Sequence, residues 1–126
     1  MKRVLDVGQC GFDHAAIRRL VTGRFGAEVT QAHDLDEALA LLKQQPHDLV
    51  LVNRVFDADG SSGMDLLQAI KADPQLDATP VMLVTNYADH QAAAVAAGGE
   101  PGFGKQELHA PATAARLARY LGEPTS

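Results

Sequence analysis

The chain has 126 residues, 46% of them apolar and 21% charged, with a formal net charge of −5. That is the size of one domain, too apolar for a disordered segment and too acidic for a basic nucleic-acid surface. No apolar run reaches the roughly 18 residues of a membrane span, no apolar signal-peptide core follows Met1-Lys2-Arg3, and Cys10 is the single cysteine; the expectation is a cytoplasmic protein with no membrane or nucleic-acid partner, no internal disulfide and no cysteine-held zinc.

One domain is expected over residues 1–122, with 123–126 as a C-terminal tail. Short β-branched runs alternate with helical periodicity in the order βαβαβαβαβα. Val4 to Val7 reads as the first strand, and Asp13 to Arg24 as a helix with Ile17, Leu20 and Val21 on one face. After a second strand, Glu28 to Gln31, Asp34 caps a helix and Glu37 three residues on completes a capping-box pattern, with Leu35, Ala38, Leu39 and Leu42 facing inward. The segment Asp48-Leu49-Val50-Leu51-Val52-Asn53 is almost continuously apolar, as a central parallel strand covered on both faces should be. Gly60 to Gly63 is a loop before a helix carrying Leu66, Leu67 and Ile70, and Pro74 and Pro80 bracket the return to the strand Val81 to Val84. The alanine-rich helix Asp89 to Ala97 should be the loosest packed of the five. Phe103 marks a short fifth strand, and Ala114, Leu117, Ala118 and Leu121 the buried stripe of the last helix.

Strands alternating with helices imply a parallel sheet with right-handed crossovers, whose ligands bind at the carboxyl ends of the strands. That edge is formed by Gly8 to Asp13, Asn53 to Gly63, Thr85-Asn86 and Gly104-Lys105.

Over nearly its whole length the sequence resembles the receiver domain of two-component response regulators. The resemblance is carried by Ile17-Arg18-Arg19-Leu20, by Asp48 to Asn53, by Thr79-Pro80-Val81-Met82-Leu83-Val84-Thr85 and by Lys105, in order and at suitable spacing. It implies an α/β, flavodoxin-like (βα)5 fold: a doubly wound, five-stranded parallel sheet in the order 2-1-3-4-5. It also implies a phosphoacceptor pocket, in which an acid pair after strand one and an aspartate ending strand three hold Mg²⁺. The strand-three aspartate takes a phosphoryl group from a histidine kinase, and a Thr or Ser after strand four and a Lys after strand five respond to it.

Laid residue by residue on this chain, the pattern departs from the family at the chemistry. Asn53 stands at the phosphoacceptor position, and a neutral amide is a poor nucleophile and a poor metal ligand. The acid pair falls either on Gly8 and Gln9 or, counting back from Ile17, on Phe12 and Asp13. Thr85 and Lys105 match. Phe103 lies two residues before Lys105 where the family places its switch aromatic three before, and Gln106 replaces the Pro that often follows. Asp57 stands where a Pro is usual. The expected pocket is therefore a degenerate one made of Asn53, Gly8, Gln9, Asp13, Asp57, Thr85 and Lys105, with no metal, no cofactor and no catalytic residue. Lys105 must then find Asp13, Asp57, Asp59 or the Asn53 oxygen, or stay in water.

Other patterns carry less. Asp57, Asp59 and Ser61 match the opening of a calcium loop, but Ser62 and Gln68 stand where its Gly and bidentate Glu belong, so the expectation is a solvated acidic loop with Asp and Ser turns. Cys10 is expected to be a small buried residue, Asp13 the cap of the first helix and His14 exposed, against the alternative of a metal or redox site. Asp6, in the first strand, is expected at a strand end reaching solvent. Asp6-Val7-Gly8-Gln9-Cys10-Gly11 is faintly similar to a cobalamin-binding loop, with Gly8 where the ligating His would be. The resulting expectation is a stand-alone, degenerate receiver: a non-enzymatic, phosphorylation-independent interaction module in bacterial signalling. Its partners would be signalling proteins, or a second copy of itself, on the family's helix 4–strand 5–helix 5 face, represented here by Gln91, Phe103, Glu107, Arg116, Arg119 and Tyr120. The alternatives are a receiver phosphorylated on Asp57 or Asp59 and a flavodoxin-like domain binding a small ligand.

Overall fold

The computed structural model describes residues 1–124, so the last two residues of the expected tail lie outside the described part. Five strands, β1 (Arg3–Val7), β2 (Glu28–Ala32), β3 (Leu49–Asn53), β4 (Val81–Val84) and β5 (Glu100–Phe103), form one parallel sheet in the order β2-β1-β3-β4-β5. Between and after them run α1 (Gly11–Phe25), α2 (Leu35–Gln44), α3 (Gly63–Ala72), α4 (Ala88–Ala96) and α5 (Pro111–Leu121). The architecture is the flavodoxin-like one implied by the resemblance.

Because strand side chains alternate between faces, each central strand feeds two cores. Leu5, Val7, Val50, Val52, Val81 and Leu83 pack with Ala38, Leu42, Leu66, Leu67, Ile70 and Ala94 on the side of α2, α3 and α4. Val4, Leu49, Leu51, Met82, Val84 and Phe103 pack with Ile17, Leu20, Val21, Leu117 and Leu121 on the side of α1 and α5. Only Ala94 of α4 is buried, in keeping with its weak apolar face. In α5 the buried residues are Thr113, Leu117 and Leu121, so Ala114 and Ala118 flank the stripe.

Helix starts follow local chemistry. The Asp34 carboxylate accepts from the Glu37 amide at 2.8 Å, while the Glu37 side chain reaches past the cap to the His33 amide at 3.2 Å. The first helix corrects the sequence reading: it begins at Gly11, and Cys10, not Asp13, is its cap, Sγ accepting from the Asp13 amide at 3.5 Å. Asp6 is also corrected. It faces α1 within the sheet, is fully buried, and lies 2.7 Å from Nδ1 of His14, which is therefore largely covered rather than exposed.

β5 carries a bulge. Met82 pairs with Glu100 and Val84 with Phe103, so Pro101-Gly102 holds one residue more than β4 opposite. The side chain of Gln91 satisfies the bulge: its Oε1 accepts from the Gly102 amide at 2.9 Å while its Nε2 donates to the Leu83 carbonyl at 2.9 Å. Arg116 donates to the Gly102 carbonyl from the other side.

Candidate functional site

At the carboxyl edge, Gly8 and Gln9 follow β1 directly, and Gly8 lies against Asn53 at the end of β3. Gly8 adopts φ +81°, and a Cβ added to it would sit 2.2 Å from the ring of Phe56. Phe56, 1% exposed, thus occupies the space that a side chain at position 8 would need. The Gly8 carbonyl accepts from Nδ2 of Asn53 at 3.0 Å and from the Asp57 amide at 2.9 Å. Asn53 donates its second amide hydrogen to the Val55 carbonyl at 2.7 Å. Both hydrogens of the side chain at the phosphoacceptor position therefore stitch the first loop to the third.

Phe12 and Asp13 lie in the first turn of α1. Phe12 is 81% exposed, whereas Asp13 turns inward and accepts from Nζ of Lys105 at 2.8 Å. Among the partners weighed for Lys105, the structure assigns Asp13. The ammonium holds the Asp13 carboxyl below its ordinary range. Behind this pair lies the Asp6–His14 contact. Burial raises the Asp6 carboxyl to about 6, against the opposing pull of His14. Asp6 Oδ1 and both polar atoms of the Gln9 side chain are buried without a hydrogen-bond partner among the described residues.

In front of Asn53 opens a cleft of about 250 Å³ lined by Asn53, Arg54, Val55, Val84, Thr85, Asn86, Tyr87 and Lys105. Thr85 is 8% exposed, and its Oγ1 accepts from the Tyr87 amide at 3.3 Å. Asn86 Oδ1 accepts from the Gln106 amide at 3.1 Å, which ties the β4–α4 loop to the segment after β5. Asp57 and Asp59 do not line this cleft; both are exposed. Asp59 instead closes a turn, its Oδ1 accepting from the amide and hydroxyl of Ser61 at 2.9 and 2.6 Å, and these bonds lower its pKa.

The residues present do not fit the divalent cation that the family's pocket implies. Hard cations take oxygen ligands, chiefly carboxylates. Here position 8 has no side chain, the Gln9 amide is buried beside Asp6, Asn53 offers a neutral amide oxygen in place of a carboxylate, and the Asp13 carboxylate is engaged by Lys105. Among the described residues no group of three or more His, Cys, Asp and Glu side chains could hold a metal ion, which also sets aside a Cys10–His14–Asp57 site.

The expected partner face needs correction at two positions. Phe103 is 2% exposed and belongs to the core, because the bulge directs it inward. Gln91 is partly buried, and its amide is consumed in bracing β4 and β5. The position three before Lys105 is Gly102, where a Cβ would lie 2.2 Å from the Leu83 carbonyl oxygen. No aromatic switch can sit there. Glu107, Arg116 and Arg119 are exposed, and Arg119 lies 5.8 Å from the centre of the partly buried Tyr120 ring. Sequence reasoning missed the Gln91 brace and the Phe56 plug as well as the Asp6–His14 contact and the Cys10 cap.

No helix of the described residues is long and apolar enough to cross a membrane. A search of curated proteins finds no match. Among solved structures, a protein described as a response regulator from Chloroflexus aurantiacus superposes with a TM-score of 0.78 at 19% identity, covering 97% of this chain and 98% of that one. The chemotaxis response regulator CheY4 of Vibrio cholerae gives 0.74 at 20%, covering 96% and 99%. NtrX from Brucella abortus gives 0.76 at 20%, covering 94% of this chain and 27% of its own. These likenesses show the fold; the family itself is shown by the match of residues 13–102 to the response regulator receiver domain. The chain belongs to the response regulator receiver domain family.

Proposed function

We propose that this receiver works in bacterial signal transduction as a non-enzymatic, phosphorylation-independent module that binds other signalling proteins. The observation that carries this reading is the closed state of the Asn53 site. Asn53 has no carboxylate, and its amide donates to Gly8 and Val55. Phe56 fills the room for an acid at position 8. The Lys105 ammonium is held by Asp13 at 2.8 Å. Together these replace a chemically switched pocket with a fixed clasp, and the Gln91 brace holds the region where a switch aromatic would move. Asp57 and Asp59 are poor substitutes for the acceptor, since neither lines the cleft with Thr85 and Lys105. The mixed edge, with Arg54 and Lys105 beside Val55 and Tyr87, suits association with protein, and a cytoplasmic location is part of the same proposal.

The test is treatment with acetyl phosphate and Mg²⁺ followed by intact-mass spectrometry. No phosphoryl adduct is expected. A stoichiometric, hydroxylamine-sensitive adduct would overturn the reading, and peptide mapping would then tell Asp57 and Asp59 from other sites.

A further inference from the structure

Taking the chain as an interaction module, as argued above, we infer that the carboxyl edge in front of Asn53 is a docking surface for a partner segment that presents an Asp or Glu side chain between apolar residues. The carboxylate seats in the cleft against Arg54 and Lys105, and the apolar neighbours cover Val55, Tyr87 and Phe12.

Three observations converge on this edge. The first is apolar exposure. The exposed large hydrophobic residues among those described are Met1, Phe12, Val55, Tyr87 and Val95, and three of these stand on the carboxyl-edge loops or the first turn of α1. Phe12 is next to Asp13, which holds Lys105 at the cleft. Val55 and Tyr87 line the polar cleft itself, and solvent-facing apolar groups beside a polar cleft are the usual composition of a binding surface.

The second is charge. The chain carries −5 overall, yet the charged residues that line the cleft are Arg54 and Lys105. The Arg54 side chain, partly buried, makes no hydrogen bond or ion pair with the described residues. Lys105 uses one donor on Asp13, and an ammonium has three. A carboxylate is the ligand chemistry that answers a planar guanidinium beside an ammonium.

The third is rigidity. Val55 pairs with Ser62 in an antiparallel bridge, Phe56 and Gly63 donate to the Ser61 and Arg54 carbonyls at 2.8 and 2.7 Å, and the Phe56 ring anchors the loop beneath. Tyr87 is steadied by an edge-on contact with His90, ring centres 5.3 Å apart. Anchors already held in place lose little freedom on binding, which is where affinity is otherwise lost.

The experiment is selection from a random peptide library on the immobilised full chain, followed by affinity measurement with purified winners. Enriched peptides should share an Asp or Glu flanked by aliphatic or aromatic residues. Their binding should fall about tenfold or more in Arg54→Ala, the loss expected of a charge-assisted hydrogen bond. It should stay within about twofold in Arg119→Glu on α5, the scatter of a residue outside the interface. Winners that lack an acid, winners that lose binding in Arg119→Glu but not in Arg54→Ala, or no enrichment over bare support would each overturn the inference. Phosphorylation in the mass experiment would overturn the proposed function while leaving this peptide result readable on its own.

Discussion

Restoring the acid at the acceptor position should harm this protein rather than revive it. In Asn53→Asp a carboxylate replaces an amide whose two hydrogens reach the Gly8 and Val55 carbonyls at 3.0 and 2.7 Å. Two hydrogen bonds of about 1 kcal/mol each are lost, and two carbonyl oxygens then face a carboxylate. Arg54 and Lys105 in the same cleft offset part of that repulsion, leaving a net loss of about 2 kcal/mol at neutral pH. Protonating the new carboxyl restores one donor. Its pKa in the folded protein therefore lies above that in the unfolded chain, so the penalty is present at neutral pH and shrinks as pH falls through the carboxyl range. Urea unfolding at pH 7 and pH 4 measures both statements, with Asn53→Ala as the variant that loses the hydrogen bonds without adding a charge. The reasoning fails if Asn53→Asp unfolds within about 0.5 kcal/mol of the parent at pH 7, the scatter of an uncoupled site, or if it gains stability relative to the parent as pH rises. Acetyl phosphate with Mg²⁺ is expected to leave this variant unmodified, because Gly8 and Phe56 still withhold the metal site.

Two further outcomes follow from the charged pairs. Lys105→Met should cost about 1 kcal/mol in a denaturant melt at pH 7, since the bond to Asp13 is short but about a third exposed on both sides. The difference from the parent should vanish as pH falls below the ordinary carboxyl value of 3.8, because a depressed pKa contributes stability only while the acid is ionised. The buried Asp6 has the opposite sign: its carboxyl rises from 3.8 to about 6, so the unfolded chain ionises first and stability declines as pH rises across that window. Asp6→Asn should remove a decline of roughly 3 kcal/mol, and parallel unfolding curves at pH 4 and 7 with no difference in slope between parent and variant would refute it.

Local patterns carried most of the fold. β4 has the bounds its apolar run predicts, Asp34 caps α2, and Asn53 ends β3, because each depends on neighbours a few residues away. The site was less legible. The Asp6–His14 contact needs the chain to leave β1, turn and present α1 back over the strand, so the solvent-facing reading of Asp6 had no local evidence against it. The Gly8–Phe56 contact joins two loops 48 positions apart, and only the β1–β3 pairing brings them together. The misplaced Phe103 has a simpler origin. Counting back from Lys105 assumes a regular strand, and the bulge at Pro101-Gly102 adds a residue that no periodicity announces. The same bulge explains why Gln91, polar and on an alanine-rich helix, looked like a surface residue: its partners are backbone groups that a regular ladder would have satisfied.

The Phe56 ring under Gly8 also gives the chain a direction of change. Reacquiring the acid pair would begin with a side chain at position 8, but the ring lies 2.2 Å from the Cβ that any such residue would carry, at a φ of +81°. That first step is sterically blocked until Phe56 is itself reduced, and reducing a fully buried Phe empties core volume at a cost of about 3–5 kcal/mol. A side chain at position 8 thus requires a damaging substitution first, and Asn53→Asp gives up the two bonds of the amide. The plug acts as a steric lock: while Phe56 keeps its ring, position 8 has no room for a side chain, and the two loops can change only together.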